Sequence, residues 1–337
     1  MSETELIRSA RFRQEREASW RRFEKQLRRV ERSRRSSLTF DEAEELSSLY
    51  RQAMNALSTA REISLDRALL DYLENLCVRG YLAIYAPQDS LSGIVGRFFS
   101  YGAPQAVRRS WPHFLLALLF MTFGGLAGYW LTLSNPDWYY AFVPGGLSGG
   151  RGPEASAAHL KGIIYNTEPV SIERLSAFST SLFSHNTQVS FTAFALGVMA
   201  AVPTGFLMFY NGTVLGAFFA VHDKHDLAVD LFGWLSIHGV TELAAILIAA
   251  TGGFRLGAAI LFPGNKTRKN ALYHAGFDAA KLAVLAAVML LVAGILEGIF
   301  RQVITDFWLR VSIGWGIGCL WLAWLVLAGR SQKSGAR

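Results

Sequence analysis

Leu231-Phe-Gly-Trp-Leu-Ser-Ile-His238-Gly-Val-Thr-Glu242-Leu-Ala-Ala-Ile-Leu-Ile-Ala-Ala-Thr251 is long and apolar enough to span a bilayer. It carries only two ionisable side chains, His238 and Glu242. Four residues apart, they share one face of a helix. A second carboxylate, Glu297, interrupts another apolar run. Ionisable groups at membrane depth cost roughly 2.5 kcal/mol or more each, so they face a bundle interior or a water-filled cavity. The spacing therefore predicts an all-α polytopic membrane bundle with a candidate polar site inside it.

Working outward, charge is segregated along the 337 residues. Residues 1–35 hold twelve Lys or Arg and six Asp or Glu, whereas His113 to Leu133 hold none of these. The division expected is a cytosolic α-helical domain at 1–89, an interfacial elbow helix at 90–110 and a membrane domain at 111–330. Six spans are expected near 112–133, 187–202, 206–221, 230–251, 277–299 and 311–329. The second and third are short against the ~20 residues a straight span needs. With Val202-Pro203-Thr204-Gly205 between them, they read as two tilted spans or as one re-entrant hairpin.

In the N-terminal part, Leu6, Phe12, Trp20, Phe23, Leu27 and Val30 are thinly spaced among arginines, which reads as a solvated basic helix over 5–35. It is expected to be dispensable for folding. Thr39-Phe-Asp-Glu42 has the form of a capping box. Leu46, Leu49, Tyr50, Ala53, Leu57 and Ala60 then recur at helical spacing, and a further helix runs from about Leu65 to Tyr85, before Pro87.

Basic loops set the orientation. Arg108-Arg109, the 252–276 loop and the C-terminal Arg330, Lys333 and Arg337 fall inside. Both termini are then cytoplasmic and the 134–186 connection is external, in a plasma membrane, the bacterial inner membrane. The connection is Gly-, Ser- and Pro-rich at first, with short amphipathic helices near Glu154–Tyr165 and Ser171–Ser184. No cleavable signal peptide is expected. The net charge of +7 suits topology and anionic lipid, and no nucleic-acid partner is expected. The two cysteines, Cys77 and Cys319, predict neither a disulfide nor a thiolate metal site.

The intramembrane polar site expected consists of His238, Glu242, Asn211 and Glu297, with His238, Glu242 and Asn211 meeting near the break at Pro203. Asn186 is expected as the N-cap of the second span. His222-Asp-Lys-His-Asp226 reads as a solvated loop, and Asp278 with Lys281 as a local ion pair. His238-Gly-Val-Thr-Glu242 is half of a zincin pattern, without the second His. No metal, cofactor or catalytic residue is expected, since no nucleophile elbow or phosphate-cradling loop occurs, and Gly145–Gly150 is a plain loop. Gly124/Gly128, Gly212/Gly216, Gly294/Gly298 and Gly314/Gly318 let backbones approach, within one bundle or at an oligomer seam.

Leu49-Tyr50-Arg51, His185-Asn186, Asn211-Gly212, His238-Gly239-x-x-Glu242 and Leu296-Glu297-Gly298, in that order, resemble the stage II sporulation protein M family of integral membrane proteins. The resemblance covers roughly residues 40–330. Typical members carry a second Asn beside the first; here the neighbours are Thr187 and His185. The founding member works with a peptidoglycan hydrolase and another membrane protein, which implies a non-enzymatic scaffold that anchors membrane or envelope partners. A permease-like protein using His238, Glu242 and Glu297 is the alternative, and an intramembrane metal-dependent hydrolase the third. A permease requires a cavity reaching Glu242; a scaffold requires the pair sealed in protein.

Overall fold

Thr39 and Glu42 close the capping box. The Thr39 amide donates to Glu42 Oε2 at 3.0 Å, and the Glu42 amide donates to Thr39 Oγ1 at 3.3 Å. This start belongs to α2 (Phe40–Ile63), which lies between α1 (Glu3–Arg32) and α3 (Arg67–Tyr85). The computed structural model describes residues 3–32, 38–63, 67–85, 91–165, 172–300 and 304–330. It falls into two units, Met1–Ile94 and Val95–Arg337.

The first unit is an up-down-up bundle. Arg29 on α1 bonds Glu42 at the start of α2, and Arg79 on α3 pairs with Glu31 on α1. The solvated reading of α1 is corrected here. Trp20, Phe23, Leu27 and Val30 are at most 2% exposed and form the centre of the core with Leu73, Leu76 and Ala53. Their 3-4-3 spacing is the stripe of a core helix. The arginines occupy its other face and pair with Glu15, Glu17 and Glu24 along the helix.

The boundary between the units falls within α4 (Leu91–Arg97), and the second unit continues through a π turn (Phe98–Gly102) and α5 (Ala103–Arg109), followed by α6 (Trp111–Ser134). Ala103 and Ala106 on the elbow are fully buried. They pack against α13 (Arg268–Ile295) and α14 (Phe307–Leu327) rather than only facing lipid. Arg108 donates to Leu325 O at 2.6 Å, satisfying a carbonyl at the end of α14. Asp278, 6% exposed, accepts from Arg255 at 2.7 Å and from Lys281 at 3.4 Å, so its ion pair is wider than a local one.

The connection after α6 supplies α7 (Asp137–Phe142), α8 (Gly145–Ser148) and α9 (Ala157–Tyr165). Tyr139, Val143 and Leu160 are buried against Ala217 and Val221, so this segment is a packed cap. The chain continues through α10 (Ile172–Ala195), a 3₁₀ turn (Leu196–Val198), α11 (Val202–Asp223) and α12 (Ala228–Leu261).

Among the described residues, five helices are long and apolar enough to cross a membrane: α6, α11, α12, α13 with its extension to Gly298, and α14. The expectation of a short third span is therefore corrected, since α11 has 22 residues; α10, although 24 residues long, is not one of the five. Glycine packing fixes their directions. A Cβ on Gly124 would lie 1.9 Å from Phe209 O, and one on Gly128 would lie 2.2 Å from Thr213 O. The contacts advance together, so α6 and α11 run parallel. A chain leaving the far end of α6 must come back before α11 begins, and α10 makes that return. α10 thus returns along the bundle before α11 begins, and of the two it is α11 that is long and apolar enough to cross a membrane. The turn between them holds Ala200 and Ala201 at φ 57° and 60°, in the left-handed region.

Candidate functional site

α12 carries the centre of the site. Its 34 residues are buried along most of their length, and His238 is 3% exposed. The His238 Nε2 lies 3.7 Å from Glu297 Oε1. Glu297, 4% exposed, sits in a π turn (Leu296–Phe300) that extends α13. Such turns add a residue to the helical repeat and occur frequently at functional sites. Trp234, one turn before His238, meets its ring edge-on at 5.7 Å between centroids.

Glu242 lies one turn further along α12. Its Oε1 accepts a hydrogen bond from Asn186 Nδ2 on α10. Asn186 is fourteen residues inside α10, so its assignment as an N-cap is corrected. Helical dihedrals continue through it, and its amide serves the carboxylate. A carboxyl group at membrane depth requires such a partner. Asn211 Nδ2 on α11 donates to Leu207 O at 2.8 Å, bonding its own helix.

These side chains surround one cavity of about 180 Å³. His185, Asn186, Asn211, His238, Glu242 and Glu297 supply its polar surface, and leucines, valine and isoleucine supply most of the rest. The cavity gathers all four residues of the expected polar site. It lies away from Pro203, which is eight residues before Asn211, or about 12 Å along a helix. The juxtaposition with the Pro203 break is corrected accordingly.

The sequence reading missed Arg151, which lines the cavity from the cap. Gly149 and Gly150, at φ 52° and 76°, make the turn that delivers it. Its Nε donates to Ser148 O and its Nη2 to Leu147 O, each at 3.0 Å. The guanidinium lies 4.7 Å from the Phe218 ring centroid and 5.9 Å from that of Trp234. Burial pulls its pKa below the usual arginine value, and the neighbouring Tyr139 and Glu297 oppose that shift. The available signal was a lone arginine in a glycine run on the side where positive charge is scarce. His222 was also misread: it is fully buried, with Nδ1 2.8 Å from Phe218 O.

Among the described residues, no three His, Cys, Asp or Glu side chains converge as a metal site would require. The arrangement can hold a small polar or charged group between two carboxylates, two histidines and one guanidinium.

The model of one family, stage II sporulation protein M, matches residues 117–300, more than half of the chain. A domain of unknown function, DUF8413, matches residues 10–86, which span most of α1 and all of α2 and α3. No curated protein and no solved structure matches the chain. Arg151, Asn186, Asn211, His238, Glu242 and Glu297 all fall within 117–300, and the chain belongs to the stage II sporulation protein M family.

Proposed function

We propose that this chain is a non-enzymatic, permease-like protein of the bacterial plasma membrane whose cavity binds a small polar solute. The observation that carries this reading is that His238 and Glu242 line a cavity of about 180 Å³. Holding carboxylates, histidines and an arginine around an open space at membrane depth is costly, and such groups mark substrate and ion paths. The proposed orientation puts the Arg255–Asp278 end in the cytoplasm, with both termini, and the α7–α9 cap outside.

A second reading, a scaffold for envelope partners, is favoured by a different feature. Val78, Tyr81, Leu82 and Tyr85 form an exposed stripe on α3, between 52% and 62% accessible. Contiguous exposed apolar surface of this kind marks interaction sites.

Thiol labelling tests the first reading. Cys77 and Cys319 are replaced by alanine, and single cysteines are placed at Val214 in the cavity wall and at Ala249, 2% exposed in the core. A small water-soluble thiosulfonate should modify Val214→Cys at least tenfold faster than Ala249→Cys. Equal rates would refute a solute-accessible cavity. In intact cells, an impermeant reagent should reach Ser156→Cys and spare Asn265→Cys; the reverse would invert the orientation.

A further inference from the structure

We infer that the cavity is a site for small organic cations of the guanidinium or alkylammonium class, and that Arg151 is its built-in occupant, standing where such a solute would bind. The inference rests on the reading of the cavity as a solute site and adds the chemistry of the solute.

Charge balance comes first. Glu242 and Glu297 face the space, and Arg151 is the permanent cation that lines it. Arg151 brings one positive charge to a lining that includes Glu242 and Glu297, so its withdrawal would leave that lining one positive charge short. An incoming cation keeps the balance, whereas an anion or neutral solute does not. Displacement of Arg151 by a cation is therefore an exchange of like for like.

The surfaces agree with that exchange. The Arg151 guanidinium lies over Phe218 and beside Trp234, and aromatic faces of this kind bind organic cations. Its hydrogen bonds to Leu147 O and Ser148 O stay within its own loop, so they are kept if the side chain and loop shift together. Hard metal ions are a poorer match. Calcium takes six to eight oxygens and magnesium an octahedral set, while most of this lining is hydrocarbon. A cavity of about 180 Å³ has room for guanidinium or a short alkylamine.

Chemical rescue provides the test. Full-length wild type, Arg151→Ala and Arg151→Ala/Glu242→Gln are purified in detergent, and thermal unfolding is followed with 0–20 mM ethylguanidinium chloride. Sodium chloride at matched ionic strength and urea at matched concentration are the controls. The expected result is a lower Tm for Arg151→Ala that ethylguanidinium raises by several degrees, saturably. Neither control should do so, wild type should need at least tenfold more ligand, and the double variant should lose most of the response. If Arg151→Ala does not fold, Arg151→Gln takes its place. If neither folds alone, recovery only with ethylguanidinium present supports the inference, and no recovery overturns it. A response shared with sodium chloride, or equal in wild type and variant, also overturns it. Absent rescue with Val214→Cys still reactive would sink the cation assignment alone; an unreactive Val214→Cys would sink the solute reading beneath it.

Discussion

Replacing Phe23 by alanine should unfold much of the N-terminal unit's stability margin. The ring is fully buried. Its Cζ lies 2.6 Å from where a Cβ on Gly80 would stand, so it packs directly on the α3 backbone, and its centroid is 6.4 Å from that of Tyr50. Three helices meet at this ring, and the space left by its loss is framed by backbone and aromatic groups that cannot easily collapse. Phe→Ala in such a core costs about 3–5 kcal/mol. A unit of 94 residues has a total stability of about 5–14 kcal/mol at ~0.05–0.15 kcal/mol per residue. At about 4–8 °C per kcal/mol, the melting temperature should fall by at least about 12 °C. The assay is thermal and urea unfolding of a 1–94 fragment, which holds its own core, followed by far-ultraviolet circular dichroism. Phe40→Ala, 82% exposed, is the control and should stay within about 0.5 kcal/mol. Deleting residues 1–35 removes Trp20, Phe23, Leu27 and Val30 together and should abolish cooperative unfolding. A Phe23→Ala fragment melting within about 2 °C of wild type would refute α1 as a core helix and restore it as a solvated arm.

Two further outcomes are expected. The Glu42 carboxyl is held below the usual carboxylate range, first by the Thr39 amide and then by Arg29. Its folded pKa is depressed, so its contribution is complete above the unfolded value and is lost as pH falls through the folded one. The difference in urea midpoint between wild type and Glu42→Gln should be constant near neutrality and close in acid below about pH 4.5, the ordinary glutamate value; a difference independent of pH would refute it. In the bundle, Gly128→Ala forces a methyl group to within 2.2 Å of Thr213 O, and Gly316→Ala meets nothing within 4 Å. The first should lower the melting temperature in detergent by several degrees and the second should not, and equal effects would disprove the α6–α11 seam.

Apolar runs made most of the bundle legible. Trp111–Ser134, Ala228–Leu261 and Phe307–Leu327 enclose or overlap the expected spans closely, because each run is strongly apolar and nearly free of charge over a membrane's width. α10 was harder to see. Its Ser, Thr, His, Asn and Gln residues lower its hydropathy, and its start lies at Ile172, fifteen residues before the expected span. The same polarity made Asn186 look like a helix start, although it is the partner of Glu242. In α1 the apolar spacing was present in the sequence, but ten basic residues masked a stripe only four or five side chains long. His238 and Glu242 were legible because a charge inside hydrocarbon is conspicuous. Arg151 was not, because a glycine-rich loop gives no period from which burial can be read.

The extent of the family match bears on how the site is built. It begins at Ala117 in α6 and ends at Phe300, the last residue of the π turn. The elbow and α14 lie outside it, and both act as braces in this chain. Arg108 of the elbow holds the end of α14, and α14 lies against α12 where a Cβ on Gly314 would come within 1.8 Å of Ser236 O. Ser236 is two residues from His238. The brace therefore fixes the helix that carries the central pair without contributing a cavity residue. The matched stretch, residues 117–300, holds every polar side chain that lines the cavity, Arg151 of the cap among them. A packing device alone would need only the helices that bury the pair. Inclusion of the capping loop, with its arginine delivered by two left-handed glycines, fits a site in which cap and bundle act on one occupant.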